Sequence, residues 1–325
     1  MKLASLRDGT RDGRLLIVSA DLSRAVKAQG AKTLLGALED WSVCGPLLRD
    51  QAKRLEDDSE KSFAFDPAAV LAPLPRAPQW LDGSAYRTHC DLVCEAWKTP
   101  NPFSNEIPLM YQGASDDFLP AHGPSYLPDE ADNIDMEAEV AVVVDEIPMG
   151  ANAQSALEHI KLVMLANDVS LRAFGPREMQ AGFGFLQAKP STVFSPVAVT
   201  VDELGKSWRG GRLHRPVTAM INRIQIGAPN AGHMTFSFGD LIAHAARTRR
   251  LSAGTIIGSG TVSDPDRAAG SATLVELRAV ETIAHGEART PFLKFGDRVE
   301  IDAFDERGQS IFGRIDHQVL HQDRE

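Results

Sequence analysis

The sequence predicts a mixed α/β fold that is mainly β. A small β-rich, barrel-like unit over residues 1–77 precedes a larger unit over residues 78–325. Three observations carry this expectation. Short apolar runs rich in β-branched residues recur between turn signals, which is the pattern of strands. Residues 71–78 place Pro73, Pro75 and Pro78 within six positions, so this segment is extended, poor in backbone donors and suited to a linker. Residues 133–144 read as a strand whose second half is apolar, with Glu137 and Glu139 two apart. Side chains two apart on a strand share a face, and two carboxylates held that close repel unless a proton or cation lies between them. Oxygen ligands alone point to Mg²⁺, Ca²⁺ or Mn²⁺. An isolated Glu-x-Glu is more often a solvated strand edge, so the cation needs support from the rest of the chain.

Residues 2–6 and 14–20 are strand-like and joined by the turn-rich segment 7–13, which predicts a hairpin. The apolar spacing of Leu34, Leu35, Leu38, Trp41, Leu47 and Leu48 predicts a helix over about 33–54, broken or kinked by Pro46. Residues 63–65 read as a short closing strand. After the linker, Asp82 or Ser84 is placed to cap a helix running to about Trp97. On such a helix His89, seven residues beyond Asp82, lies about two turns on and faces the same way. Residues 98–131 are rich in Pro, Gly, Asn and Ser. A loop of that length is a candidate lid or pocket wall, and Tyr111 is its candidate hydroxyl.

Apolar spacing predicts a helix over about 152–165, with Asp168 where the apolar run stops. Lys189 follows a mostly apolar stretch, which is unusual for a lysine without a partner or a role. Residues 191–199 and 216–226 read as strands, and 238–249 as a helix. The glycine-rich stretch 252–263 reads as a strand and turn whose amides could line an anion site. Its Gly-x-Gly has no helix after it and is not a dinucleotide fingerprint. Residues 270–280 read as a strand bearing Glu276, and a last pair of strands is expected around 305–308. His317 and His321, in a charged tail, are read as surface residues.

Composition narrows the function. With 34 basic and 44 acidic residues the formal charge is −10, which argues against a general nucleic-acid or anionic-membrane surface. No apolar run approaches membrane-spanning length, and residues 1–8 lack the apolar core of a signal peptide, so a cytoplasmic location is expected. Three cysteines do not make a disulfide framework. Cys90 and Cys94 lack a second pair at zinc spacing and read as small buried residues.

Taken in order, Asp82 with His89, Tyr111-Gln112-Gly113, Glu137-Ala138-Glu139, the segment 167–172, Lys189, the segment 258–263 and Glu276 resemble the motifs of the fumarylacetoacetate hydrolase family. The resemblance covers nearly all of residues 72–315, and residues 1–77 resemble the small domain that longer members carry. It implies a β-sandwich roll for the larger domain. It also implies Asp82, Glu137, Glu139 and Asp168 as ligands of one Mg²⁺, with Ca²⁺ or Mn²⁺ as alternatives. By the same correspondence His89 is a general base oriented by Glu276, Lys189 a cationic stabiliser, and Tyr111, Arg172 and Thr261 substrate contacts. The implied reaction is hydrolytic cleavage of a carbon–carbon bond in a small dicarbonyl acid such as fumarylacetoacetate or an acylpyruvate, as in aromatic amino acid catabolism, by a homodimer. Decarboxylation, hydration or isomerisation of a 2-oxo acid on the same site is the nearest alternative. A non-catalytic small-molecule-binding protein is the rival from another class.

Overall fold

The computed structural model describes residues 1–322. Its centre is an eleven-stranded sheet. From one edge the strands run Phe63–Ala64, Arg24–Lys27, Arg14–Val18, Lys2–Leu6, Ala198–Thr200, Ile160–Asn167, Ala138–Val144, Ile256–Gly258, Trp80–Gly83 and Met110–Gly113, with Val193–Phe194 paired to Ile160–Asn167 beside this path. The N-terminal strands therefore continue the same sheet, through the antiparallel pairs Lys2–Val199 and Leu3–Ala198. A second sheet of five strands orders Ile224–Gly227, Thr218–Ile221, Arg298–Asp302, Ile315–His321 and His122–Leu127. The fold is mixed α/β and mainly β.

Strand periodicity divides the core. In Ala138–Val144, Val140, Val142 and Val144 belong to a cluster that includes Ala219, Val299, Ile301 and Ile315 of the second sheet, with Phe238, Leu241 and Ile242 of the helix Phe238–Ala245. Ala141 and Val143 point the other way, into a cluster with Leu34, Leu38, Trp41, Leu48 and Leu55 of the helices Leu34–Glu39 and Trp41–Glu56. The central strands are covered on both faces and read as continuous apolar runs. At about 25 cal/mol per Å² of apolar area, burial on both faces is the main stabilising term.

Several elements differ from the sequence expectation, each for an identifiable reason. The helical segment after residue 33 divides at Asp40, whose φ −131°, ψ 48° is non-helical, while Pro46 is accommodated within the second helix. Ile160–Asn167 is a strand, and only Ala153–Glu158 is helical. Seven of its eight residues are buried, a two-sided burial whose apolar run has no strand alternation and also satisfies helical spacing. Residues 216–226 contain two strands, turned by Asn222 and Arg223 at φ 52° and 67°. Residues 191–199 are likewise two strands, Val193–Phe194 and the start of Ala198–Thr200.

Two corrections bear on the site. Asp82 caps no helix: it lies on the strand Trp80–Gly83, and the helix Arg87–Trp97 begins after Tyr86 without a side-chain cap. Glu276 lies on a helix, Leu274–His285, rather than on a strand. Among the described residues no helix is long and apolar enough to cross a membrane.

Candidate active site

Three strands of the large sheet deliver the acidic groups. Asp82 shares a face with Trp80, Glu139 with Ala141, and Asp168 lies just past Asn167 at the end of its strand. The intervening strand places Gly258 opposite both Ala141 and Asp82. A Cβ on Gly258 would lie 2.2 Å from Asp82 Oδ1, so glycine is what leaves room for this carboxylate. The Gly260 amide donates to the same oxygen at 3.1 Å.

One carboxylate oxygen from each of Asp82, Glu139 and Asp168 lies within 4.8 Å of the other two, and all three residues are buried. Among the described residues no hydrogen-bond donor reaches either oxygen of Glu139. Burial, and next the Asp168 charge, push Asp82 well above the ordinary carboxylate range. Burial, and next the Asp82 charge, do the same to Glu139. A partnerless buried carboxylate among like charges is what a hard divalent cation would satisfy, so these three residues fit one.

Glu137 stands outside that triad. It lies between the strands Ile134–Asp135 and Ala138–Val144 and faces cations: Lys189 Nζ is 2.6 Å from its Oε2, and Arg172 Nη2 is 2.5 Å from its Oε1. Burial alone would raise Glu137, but the Lys189 and Arg172 charges outweigh it and hold the carboxyl well below its usual range. Lys189 Nζ also donates to Asp168 Oδ2 at 2.7 Å and Ser170 Oγ at 2.8 Å. Burial would discharge this ammonium, but Asp168 and Glu137 keep it charged. Two of the apolar residues before it do not bury it, since Phe183 and Leu186 are 99% and 85% exposed. The acidic groups compensate the buried charge.

Tyr111 lies on the strand Met110–Gly113, in register with Asp82, rather than in a loop. Its hydroxyl donates to Asp168 Oδ2 at 2.6 Å, and Thr192 Oγ1 donates to Oδ1 at 2.9 Å. On the helix Arg87–Trp97, His89 places Nδ1 2.9 Å from Glu276 Oε2, with the ring near enough to Glu137 to influence its carboxyl. Donation from Nδ1 to a carboxylate leaves Nε2 as the basic nitrogen.

Arg172 is engaged within the protein, to Asp135 Oδ2 at 2.9 Å, Glu137 and Thr273 Oγ1 at 3.2 Å. Thr261 is buried next to Gly260.

Sequence reasoning missed Ser170, Thr192, Asp135 and His317. His317 is 3% exposed, not a surface residue. His321 is exposed beside the Phe295 ring, 5.1 Å between centroids. The alternation Ile315, His317, Val319 along the last strand was the signal that could have placed His317 inside.

Fold and site together define the class, a mainly β enzyme scaffold that carries a buried carboxylate triad and a His–Glu pair. The chain belongs to the fumarylacetoacetate hydrolase family. The family model described as Fumarylacetoacetate (FAA) hydrolase C-terminal matches residues 79–320, and the one described as Fumarylacetoacetase N-terminal domain 2 matches residues 1–76. Among curated relatives, the mitochondrial oxaloacetate tautomerase fahd2 of Xenopus laevis is 23% identical over 228 residues, 69% of this chain and 67% of that protein. The fumarylacetoacetase of Caenorhabditis elegans is 28% identical over 247 residues, 66% of this chain and 58% of that protein. Among solved structures, maleylpyruvate hydrolase from Sphingobium sp. SYK-6, in complex with manganese (II) ion and pyruvate, superposes with a TM-score of 0.67. It is 15% identical and the match covers 99% of this chain and 100% of that one.

Proposed function

We propose that this protein is a divalent-metal-dependent hydrolase that cleaves a carbon–carbon bond of a small β-dicarbonyl acid, fumarylacetoacetate or a related acylpyruvate. The observation that carries the reading is the His89 Nδ1–Glu276 Oε2 contact of 2.9 Å, a base with its orienting carboxylate near Glu137. Asp82, Glu139 and Asp168 would hold the cation, with Glu137 behind them through Lys189. When bound, a divalent cation supplies Lewis-acid polarisation of carbonyl oxygens.

His89 Nε2 takes a proton from water as the water oxygen bonds to one carbonyl carbon. The carbon–carbon bond then breaks, and its electron pair leaves on the departing fragment as an enolate. The fixed Lys189 ammonium stabilises that charge as it develops. The His89 imidazolium, held by Glu276, returns the proton to the departing carbon. The homodimer and cytoplasmic setting expected from the sequence belong to the same proposal.

A second reading keeps the site and changes the step, because a curated relative is named as an oxaloacetate tautomerase. If His89 removes a proton from carbon instead of water, the product is a tautomer and no carbon–carbon bond breaks. The deciding experiment follows the ultraviolet β-diketone absorbance of fumarylacetoacetate with Mg²⁺, after chelation and after Mg²⁺ is restored. Loss that chelation stops and Mg²⁺ restores supports hydrolysis. No loss with fumarylacetoacetate or acylpyruvates, alongside rapid ketonisation of enol-oxaloacetate, overturns it in favour of the tautomerase.

A further inference from the structure

Asp135 carries no role in the reaction just described, yet its carboxylate is fully buried and receives four hydrogen bonds. The backbone amide of Leu274 donates to Oδ1 at 2.8 Å and that of Val275 to Oδ2 at 3.0 Å. Thr273 Oγ1 and Arg172 Nε each donate to Oδ2 at 2.9 Å. The helix Leu274–His285 receives no cap from the side chain of its own Thr273. Asp135 supplies the cap from the strand Ile134–Asp135, more than a hundred residues earlier. A carboxylate at a helix N-terminus satisfies free amides and complements the positive end of the dipole.

Glu276 is the third residue of this helix, one beyond the second capped amide, and it holds His89. Arg172, held through Nε by Asp135, holds Glu137 through Nη2 and also bonds Thr273 Oγ1. One buried group thus fixes both the helical turn that sets the base and the arginine that sets Glu137.

We propose that Asp135 is a positioning residue that couples the orientation of His89 to the acidic cluster, acting through Glu276 on one side and Arg172 on the other. A buried ion pair of merely structural use would require no partner on this particular turn. Asp135 instead engages the two amides immediately before Glu276. The proposal rests on reading His89 and Glu276 as the base pair, and the test therefore includes a measurement on His89 that does not depend on turnover.

The experiment uses the full chain carrying Asp135→Asn, which keeps the shape but replaces an acceptor oxygen by a donor. The His89 Nδ1 proton is followed by NMR in metal-free protein, assigned by its loss in His89→Gln. Turnover on the dicarbonyl substrate and Mn²⁺ affinity by calorimetry are measured on the same samples. The expected result is a weakened or exchange-averaged His89 Nδ1 signal and a kcat loss of about 10–100-fold, the range for orienting partners, with KM within about threefold.

Should Asp135→Asn fail to fold, Thr273→Val removes one of the four bonds and is expected to show the same signature in smaller degree. An unchanged His89 signal in the folded variant overturns the proposal, whatever happens to kcat. A lost signal in Asp135→Asn combined with full activity of His89→Gln leaves the positioning intact and overturns instead the assignment of His89 as base.

Discussion

His317 Nε2 accepts a hydrogen bond from Asn167 Nδ2 at 2.7 Å in the protein interior, one residue before Asp168 of the acidic triad. The other ring nitrogen, Nδ1, faces Ser125 Oγ at 2.9 Å, and Asn167 Oδ1 accepts from the Glu137 amide at 2.9 Å. This orientation requires a neutral imidazole, and burial pushes His317 down from 6.5 to about 4.

The sign of the resulting pH dependence follows from proton counting. Between pH 6.5 and 4 the unfolded chain protonates this histidine while the folded chain does not, so its contribution to stability is lost as pH falls through that window. The shift corresponds to about 3 kcal/mol. We predict that the difference in unfolding free energy between wild type and His317→Gln shrinks by about that much from pH 7 to pH 4. Urea titrations at several pH values measure it, and a pH-independent difference would refute the buried neutral state.

The triad sets a second test. Asp82 and Glu139 are raised by burial and by neighbouring carboxylates, so protons compete with a cation for them and Mn²⁺ or Mg²⁺ affinity should rise with pH. Metal at a hundred times its Kd should stabilise the wild type by about 2.7 kcal/mol. Glu139→Gln should lose most of this increment. Without metal the variant should be at least as stable as wild type, because a partnerless buried charge is gone. Melting curves with metal and with chelator decide it, and equal metal-induced shifts in both proteins would remove Glu139 from the ligand set.

Lys189 joins Glu137, Asp168 and Ser170 through a single nitrogen. Lys189→Met leaves two buried carboxylates without their shared cation, and breaking such pairs costs about 3–5 kcal/mol. Lys189→Arg should not restore activity, since a planar guanidinium cannot present three bonds from one atom. Denaturant unfolding of the Met variant and turnover of the Arg variant check the two halves. Wild-type turnover in Lys189→Arg would reduce Lys189 to a source of charge.

The order of motifs made the family legible, while several local structures were not. The strand Ile160–Asn167 is buried on both faces, which erases the alternation that tells strand from helix. No local capping motif announces the helix that bears Glu276, because its cap is Asp135, far away in sequence. Sequence spacing pairs Asp82 with His89 on one helix; in the fold strand pairing brings Asp82 to the cluster, and the helix with Glu276 holds His89. The separation of Glu137 from the triad depends on Lys189 and Arg172, contacts between segments that spacing does not show. Residue types sufficed to nominate the chemistry. The partition of four carboxylates into three that face one another and one that faces cations emerged only from packing.

His89 and Glu276 should behave as one unit. Removing the base with His89→Asn should lower kcat by about 10²–10⁴, the usual contribution of general-base catalysis. Glu276→Gln keeps a hydrogen-bond partner for the ring but loses the charge that stabilises the imidazolium, and it should cost a substantial part of the same factor. Because Glu276 acts only through His89, the double variant should be no slower than His89→Asn alone. Independent contributions would instead multiply the two losses. Metal affinity by calorimetry should stay within a few-fold of wild type in all three, since neither residue belongs to the triad of facing carboxylates. Multiplicative losses would show that Glu276 acts on the substrate directly, and loss of metal with His89→Asn would make the imidazole a ligand instead of a base.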